Sequence, residues 1–421
     1  MSVAPRIRFG RGDFRIEKLK SLRSYPESGT EPSRFSFISG LPPRNGMQKY
    51  DIVVVGAGPA GLSFARVASA EAKVLVCEMQ ASVGGNTFST WLPKEALPGE
   101  LARAVVQRTK EVKVKGPKSE LVSRVEGVVL DWKWAVRLLA LEARRRGAEI
   151  WTSSPAKELL LKEGRVVGVR LEAGSWREEV RSEVVVDASG CSSEWSCLFS
   201  RLLGRKPKPE ETVFTGEHLL AGAEPEDSVE FHFGSYLAPL GNGWVHPFGD
   251  GFAVAGIQGL RIHPEASLDE FVGRIQRLGR AAPVASTRGM AVDVTLDTFC
   301  SDGILAVGGA CWHLLALSRG GLLQAMKAGE MAARVVLEAL TEGDVSKGSL
   351  SEYERLWRRE LGPDFELERA LYSALSRSWD QNVERLLERM GREPSLLRDF
   401  AAVLAGVEPG RAAKKLLEAM G

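Results

Sequence analysis

The chain has 421 residues, 44% of them hydrophobic and 26% charged, with a formal net charge of +2. That length predicts two or three lobes rather than one core, and the near-neutral balance argues against a charge-driven nucleic-acid binder. No apolar run reaches about 18 residues, so no membrane-crossing helix is predicted, and no secretory leader is evident.

The five cysteines (77, 191, 197, 300, 311) form an odd set without a C-x-x-C pair, and the five histidines (218, 232, 246, 263, 313) are scattered. Neither set has metal-ligand spacing, so no metal site is predicted, and reduced thiols of a cytoplasmic protein are expected. Asn (4) and Gln (7) are scarce beside 56 Lys and Arg, a bias that fits a heat-adapted source.

Residues 1–46 are rich in Arg, Ser, Pro and Gly and show no sustained period, which predicts an irregular arm. Met47 stands directly before KYDIVVVGAG. Two readings follow: translation starts at Met47, or a basic arm touches an anionic surface. From Asp51 onward, strand and helix alternate. DIVVV reads as a strand, 59–70 as a helix and KVLVCE as the next strand. Gly56, Ala57, Gly58, Pro59, Ala60 and Gly61 form G-x-G-x-x-G between that first strand and helix. Gly56 permits a tight turn, Gly58 lets a pyrophosphate approach the backbone, and Gly61 allows close packing, as does Ala65 one turn on. Glu78 ends the second strand, where a carboxylate accepts from an adenosine ribose. The pattern predicts an adenine dinucleotide site without distinguishing FAD from NAD.

Asp131 is placed to cap a helix that runs to about Arg146 and stops at Gly147. KELLLKEGRVVGVRLE predicts a hairpin turning at Glu163–Gly164. EVVVDASG (183–190) reads as a buried strand. Short strands, aromatics and Gly/Pro turns over 210–290 predict a mostly antiparallel lobe, 302–342 returns to strand–turn–helix, and 350–421 is helical and charged.

Taken in order, these segments resemble the FAD-dependent geranylgeranyl reductase family, within the p-hydroxybenzoate-hydroxylase-like flavoproteins. The resemblance spans roughly 50–400. It rests on the G-x-G-x-x-G unit with Glu78, LDWKWAVRLLALEARRRGAEI, VVVDASGCSS, GNGWVHPFGDGFAVAGI, DGILAVGGA with its following GG, and LSEYERLWRRELG. It implies that Ala156 lies beside the adenine and Gly190 near the flavin phosphates. It also places Gly308–Gly309 under the ribitol and Gly320–Gly321 at a helix start facing the ring, where a positive dipole end favours the reduced flavin. Arg319 either reinforces that turn or faces water.

The chain departs from the family pattern at several positions. Gly309 replaces an aspartate that bonds the ribitol. Trp312 stands where glycine is common and Ala316 where proline is common. GGNTFST (84–90) replaces a cysteine loop. Around Trp244 and Pro247, Asn242 replaces tyrosine and His246 replaces phenylalanine.

The expected architecture is α/β: a doubly wound Rossmann-type FAD-binding domain (47–205 and 288–345), a β-rich substrate domain (206–287) and a C-terminal helical segment (346–421). The expected activity is FAD-dependent reduction of C=C bonds in an isoprenoid or other apolar organic substrate. The alternatives are a flavin-dependent monooxygenase and a degenerate flavoprotein fold that binds without turnover. Trp244, His246 and Pro247 are candidates for the substrate slot, with Trp244 equally readable as core. His313 and His246 are candidate proton donors, though a structural hydrogen bond is the commoner role for a lone histidine. Cys191 and Cys197 read as buried thiols rather than a redox pair. No second dinucleotide motif exists. NAD(P)H docking transiently, or a reduced electron-carrier protein, is therefore the expected donor. A lipid-like substrate implies peripheral membrane contact through the arm or the C-terminal helices.

Overall fold

Two eight-stranded sheets divide the strands of the described residues between them. The computed structural model describes residues 48–190, 197–224, 226–292 and 294–420. The expected arm 1–46, Met47 and Cys191 lie outside the described residues. In chain order the elements are β1 (Gln48–Val55), α1 (Pro59–Ala68), β2 (Val74–Cys77), β3 (Ser89–Pro93), β4 (Val105–Lys115), β5 (Glu120–Asp131), α2 (Trp132–Arg145) and β6 (Glu149–Trp151). Then come β7 (Ala156–Lys162), β8 (Arg165–Ala173), β9 (Trp176–Asp187), α3 (Leu198–Leu202), β10 (Thr212–Ala221), β11 (Ser228–Phe233), β12 (Asn242–Pro247), β13 (Phe252–Leu260), α4 (Pro264–Arg274) and β14 (Ala282–Val292). The chain closes with β15 (Cys300–Ser301), β16 (Ile304–Ala306), α5 (Leu322–Glu342), α6 (Lys347–Glu360), α7 (Gly362–Ser376), α8 (Trp379–Arg392), α9 (Pro394–Ala405) and α10 (Pro409–Met420).

The first sheet has the order β15-β16-β9-β1-β2-β6, with β7 and β8 attached through β9. β1 runs parallel to β2 and β9, and β16 runs parallel to β9. Where they pair, Ile52–Val55, Val74–Cys77 and Val184–Val186 are continuous apolar runs and buried, as expected of parallel strands covered on both faces. α1 packs against both α2 and α5. A Cβ at Gly329 would lie 2.2 Å from Ala60 O, so glycine sets the close crossing of α5 over α1. Asp131 caps α2 as expected, accepting from Trp134 N–H at 2.9 Å. The hairpin turns at Glu163–Gly164, both at positive φ.

The second sheet has the order β14-β10-β13-β12-β11-β4-β5-β3. Here the expected boundaries need correction. β3, β4 and β5 lie within 47–205, yet they pair with each other and, through β4, with β11. They form a local antiparallel group, and β4 alone joins it to the second sheet through β11, a partner remote in sequence that local pattern could not reveal. Gly243 and Val245 of β12 face α4, against Phe271 and its apolar cluster. Asn242, Trp244 and His246 therefore point to the opposite face. On that side, Phe231 and Phe233 join α8, α9 and α10 in a second core.

Candidate functional site

The first turn separates two kinds of glycine. A Cβ at Gly56 (φ +105) would lie 2.5 Å from Ala188 O, and one at Gly61 would lie 2.2 Å from Gly56 O. Both positions are closed by backbone. Cβ atoms at Gly58 and at Gly190 would instead meet nothing within 4 Å. Gly58 is the N-cap of α1, with Pro59 following. The first intrahelical bond runs from Leu62 N–H to Gly58 O (3.0 Å), so the amides of Ala60 and Gly61 stand ahead of the ladder, where an anion is favoured.

Glu78 is buried and braces this turn. Its carboxylate accepts from Ala57 N–H (2.9 Å) and Gln80 N–H (2.8 Å). Burial raises its pKa and the amide bonds pull it back. Each oxygen keeps a second lone pair for a ribose hydroxyl. The main chain of Glu78 also accepts from Ser154 N–H (2.8 Å), which brings the start of β7 at Ala156 to the same end of the sheet. Asp187, fully buried, accepts from Ser189 N–H, Ser189 O–H and Phe199 N–H at 3.1, 2.6 and 2.7 Å. That carboxylate fixes the turn carrying Gly190.

The glycine turn at 308 lies beside the first one. A Cβ at Gly308 (φ +62) would lie 3.1 Å from Ala60 Cβ and 3.9 Å from Ala325 Cβ. Gly308 thus sits between the first turn of α1 and the first turn of α5. Gly309 is half-buried and accepts from Trp312 N–H at 3.0 Å. Trp312 holds a left-handed φ of +61, which explains why glycine suits that position. Its buried ring lies 5.6 Å below the Arg205 guanidinium. Gly321 is the N-cap of α5, and a Cβ there would meet nothing within 4 Å. The 308 turn therefore meets the N-terminal turns of α1 and α5, and positions 58, 190 and 321 each leave room beside their backbone. These residues fit an FAD.

On the second sheet, the Trp244 ring lies across Gly256, whose Cβ would fall 2.1 Å from it, and its indole donates to Glu217. Glu217 also accepts from Phe88 N–H at 2.8 Å, and burial pushes its carboxyl up to about 7. Pro247 ends β12 and is buried. His246 is buried, with Nδ1 2.9 Å from Ser89 Oγ and its ring edge-on to Phe231. The GGNTFST loop thus supplies the polar partner that a phenylalanine at 246 would not need.

The proton-donor expectation for the two histidines is corrected. His313 lies under α6, stacked on Trp357 at 3.8 Å and edge-on to Phe299 at 4.3 Å. Burial holds its pKa well below the ordinary range, and that of His246 at about 3. Both rings stay neutral near pH 7 and are embedded in packing. Cys197 is a buried thiol that donates to Ala310 O, and burial pushes the Cys311 thiol well up.

The depressed pKa of His246 has a stability consequence. Its contribution is complete above pH 6.5 and is lost as pH falls toward 3, at up to about 1.4 kcal/mol per pH unit. The His246→Phe variant removes that loss. Its melting temperature should fall less than that of the unsubstituted protein between pH 6.5 and pH 5. Parallel melting curves would refute this assignment.

Sequence reasoning missed Glu217, Gln258 and Glu368. Gln258 was visible as a lone polar residue inside the apolar strand FAVAGIQGL. Glu217 and Glu368 carry no comparable local signal. A separate cavity of about 530 Å³ lies between α4 and strands β4 and β11, lined by Lys113, Glu230, His232, Arg274 and Arg277 among others. It is not formed by the glycine turns.

A family model described as FAD dependent oxidoreductase matches residues 51–193. Together with the convergent turns, that match makes the protein an FAD-dependent oxidoreductase. Over the whole chain the similarity is narrower. Digeranylgeranylglycerophospholipid reductase 2 of Methanopyrus kandleri is 30% identical over 88% of this chain and 96% of its own length. Digeranylgeranylglycerophospholipid reductase 1 of the same organism is 32% identical over 83% of this chain and 99% of its own. The chain belongs to the digeranylgeranylglycerophospholipid reductase family. Its fold is also that of a geranylgeranyl bacteriochlorophyll reductase-like protein from Thermoplasma acidophilum, with a TM-score of 0.74, 24% identity, and 89% and 96% of the two chains covered. A flavin-dependent brominase shares the fold at a TM-score of 0.69 and 19% identity over 89% of this chain and 98% of its own.

Proposed function

We propose that this protein uses FAD to reduce C=C bonds in the geranylgeranyl chains of a glycerophospholipid. The observation that supports this most is the near full-length similarity to reductases of that lipid, combined with the three-turn cradle around Gly308. When bound, FAD supplies the electron pair for the reduction. The chain's own residues do the rest. Gly58, Ala60, Gly61 and Gly190 receive the phosphates, Glu78 accepts from the ribose with Ala156 beside the adenine, and the α5 N-terminus at Gly320–Gly321 favours negative charge on the reduced ring. Trp244, with Pro247 at the end of its strand, borders the apolar chain. NAD(P)H or a reduced carrier protein delivers electrons, and the lipid is met at a membrane surface. No helix among the described residues is long and apolar enough to cross a membrane.

The test is anaerobic. FAD-loaded, chemically reduced protein is mixed with vesicles of digeranylgeranylglycerophospholipid, and the lipid should gain one H₂ in mass per saturated bond. Unchanged lipid together with oxygen-dependent NAD(P)H consumption and a hydroxylated product would instead assign a monooxygenase. Colourless protein that takes up no added FAD would assign a binding module.

Gly309 offers a second measurement. A carboxylate there regains one charge-assisted bond to the ribitol, worth about 1.5–3 kcal/mol. Gly309→Asp should therefore bind FAD about ten- to a hundredfold more tightly in a fluorescence titration. Unchanged affinity would remove Gly309 from the ribitol.

A further inference from the structure

The turn before α5 contains three consecutive main-chain amides, those of Ala316, Leu317 and Ser318, that no helix or strand satisfies. Buried amides require a partner. One side chain supplies it for all three. Glu368 of α7 is fully buried and accepts from Ala316 N–H, from Leu317 N–H at 2.6 Å and from Ser318 N–H at 3.3 Å. The opposite edge of the turn is held from the second sheet. Gln258 Nε2 of β13 is shared among Ser318 O (3.1 Å), Leu317 O (3.4 Å) and Asn242 Oδ1 (2.5 Å). A third tie follows inside α5, where Gln324 Nε2 donates to Gly406 O, between α9 and α10, at 2.7 Å. Arg319, at φ +53, lies over the Tyr372 ring of α7 at 4.8 Å.

We infer that Glu368 and Gln258 are positioning residues that lock the 316–318 turn from opposite sides, and so set where the N-terminus of α5 meets the flavin. The C-terminal helical segment is thereby part of the flavin site. Ala316 is integral to this clamp, because a proline there has no N–H to give Glu368. Asn242 acquires a role as well, since its carbonyl orients the Gln258 amide. The inference rests on the reading that Gly320–Gly321 faces the flavin ring.

The test compares Glu368→Gln, Glu368→Ala and Gln258→Met with the unsubstituted chain. Three properties are measured on each: melting temperature without FAD, FAD affinity by fluorescence, and the midpoint potential of the bound flavin. A clamp predicts affinity lower by about tenfold or more, the equivalent of one lost net hydrogen bond. It also predicts a more negative potential, because a displaced helix terminus stabilises the reduced flavin less. Glu368→Gln, which keeps one acceptor, should fall between the unsubstituted protein and Glu368→Ala. Gln258→Met keeps the side-chain length and leaves Glu368 in place, so it reports on the turn if Glu368→Ala fails to fold. Folded variants with lower melting temperature but unchanged affinity and potential would overturn the clamp and leave the flavin reading intact. An unsubstituted protein that binds no FAD would overturn the flavin reading itself.

Discussion

Gly61→Val should yield a protein that holds no FAD and folds poorly, whereas Gly58→Ala should fold normally and lose only FAD affinity. The two glycines sit three residues apart in one motif, yet their surroundings differ completely. A Cβ at Gly61 would lie 2.2 Å from Gly56 O and 3.1 Å from both Ala188 Cβ and Val54 Cγ1. Those atoms belong to the turn itself, to β1 and to the end of β9, and none is a flexible side-chain tip. Relief requires α1 to move off the sheet, which opens the core under Leu62 and Ala65. Overpacking of this kind costs about 1–3 kcal/mol, and more where backbone has to move. At Gly58 a methyl meets nothing within 4 Å, and φ is −87, which alanine adopts freely. Among the described residues nothing lies in that methyl's way, so what it would obstruct is a ligand lying over the helix terminus. Gel filtration with FAD absorbance, together with far-ultraviolet circular dichroism, separates the two outcomes. If Gly58→Ala retained FAD as tightly as the unsubstituted protein, the pyrophosphate would not lie over that turn.

Arg277→Met should destabilise the protein by about 3 kcal/mol, the loss expected when one member of a buried ion pair is removed. Glu230 on β11 is 2% exposed. Its Oε1 receives Arg277 at 2.8 and 2.9 Å, while Oε2 receives His232 Nε2 at 2.9 Å and lies 3.3 Å from Lys115. Burial pushes the Glu230 carboxyl up, but His232, Arg277 and Lys115 together hold it well below the usual range. Burial also lowers the His232 pKa, so His232 acts as a neutral donor and Arg277 is the best-placed full charge. Without Arg277 the carboxylate is left under-compensated between α4 and the sheet. Glu230→Gln in the same background removes the charge and should recover part of the loss. Chemical denaturation of the two variants measures both effects. Because the Glu230 pKa is depressed, its contribution is present above pH 4.5 and is lost as pH falls further. The Arg277→Met penalty should therefore shrink in acid. A penalty independent of pH would point to lost packing of the arginine stem instead.

The parts of the site that depend on consecutive residues were legible in the sequence. The G-x-G-x-x-G turn, Glu78 at the end of β2, Asp131 as a cap and the Glu163–Gly164 turn all express short-range sterics and hydrogen bonding. Each lies where its spacing placed it. The parts that depend on distant partners were not legible. Residues 89–131 look like the rest of the first domain but add three strands to the second sheet, because β4 is placed there by its pairing with β11, a neighbour remote in sequence. His313 and His246 stood only as candidate donors in the sequence, because isolated histidines carry no mark of burial. Only the packing of Trp357 and Phe299 over one, and of Ser89 and Phe231 around the other, fixes them as neutral.

By itself, the sequence determined that this chain builds a dinucleotide turn, follows it with alternating strands and helices, and ends in helices. Those features follow from backbone sterics and side-chain periodicity within a few residues. The tertiary structure alone decided that Gly308 lies between α1 and α5, that Glu78 and Asp187 brace the turns at Gly56–Gly61 and Gly190, and that Glu368 and Gln258 grip the turn before α5. The Glu368 carboxylate is held by three amides that point at one spot, and that convergence exists only once α7 has packed against the turn.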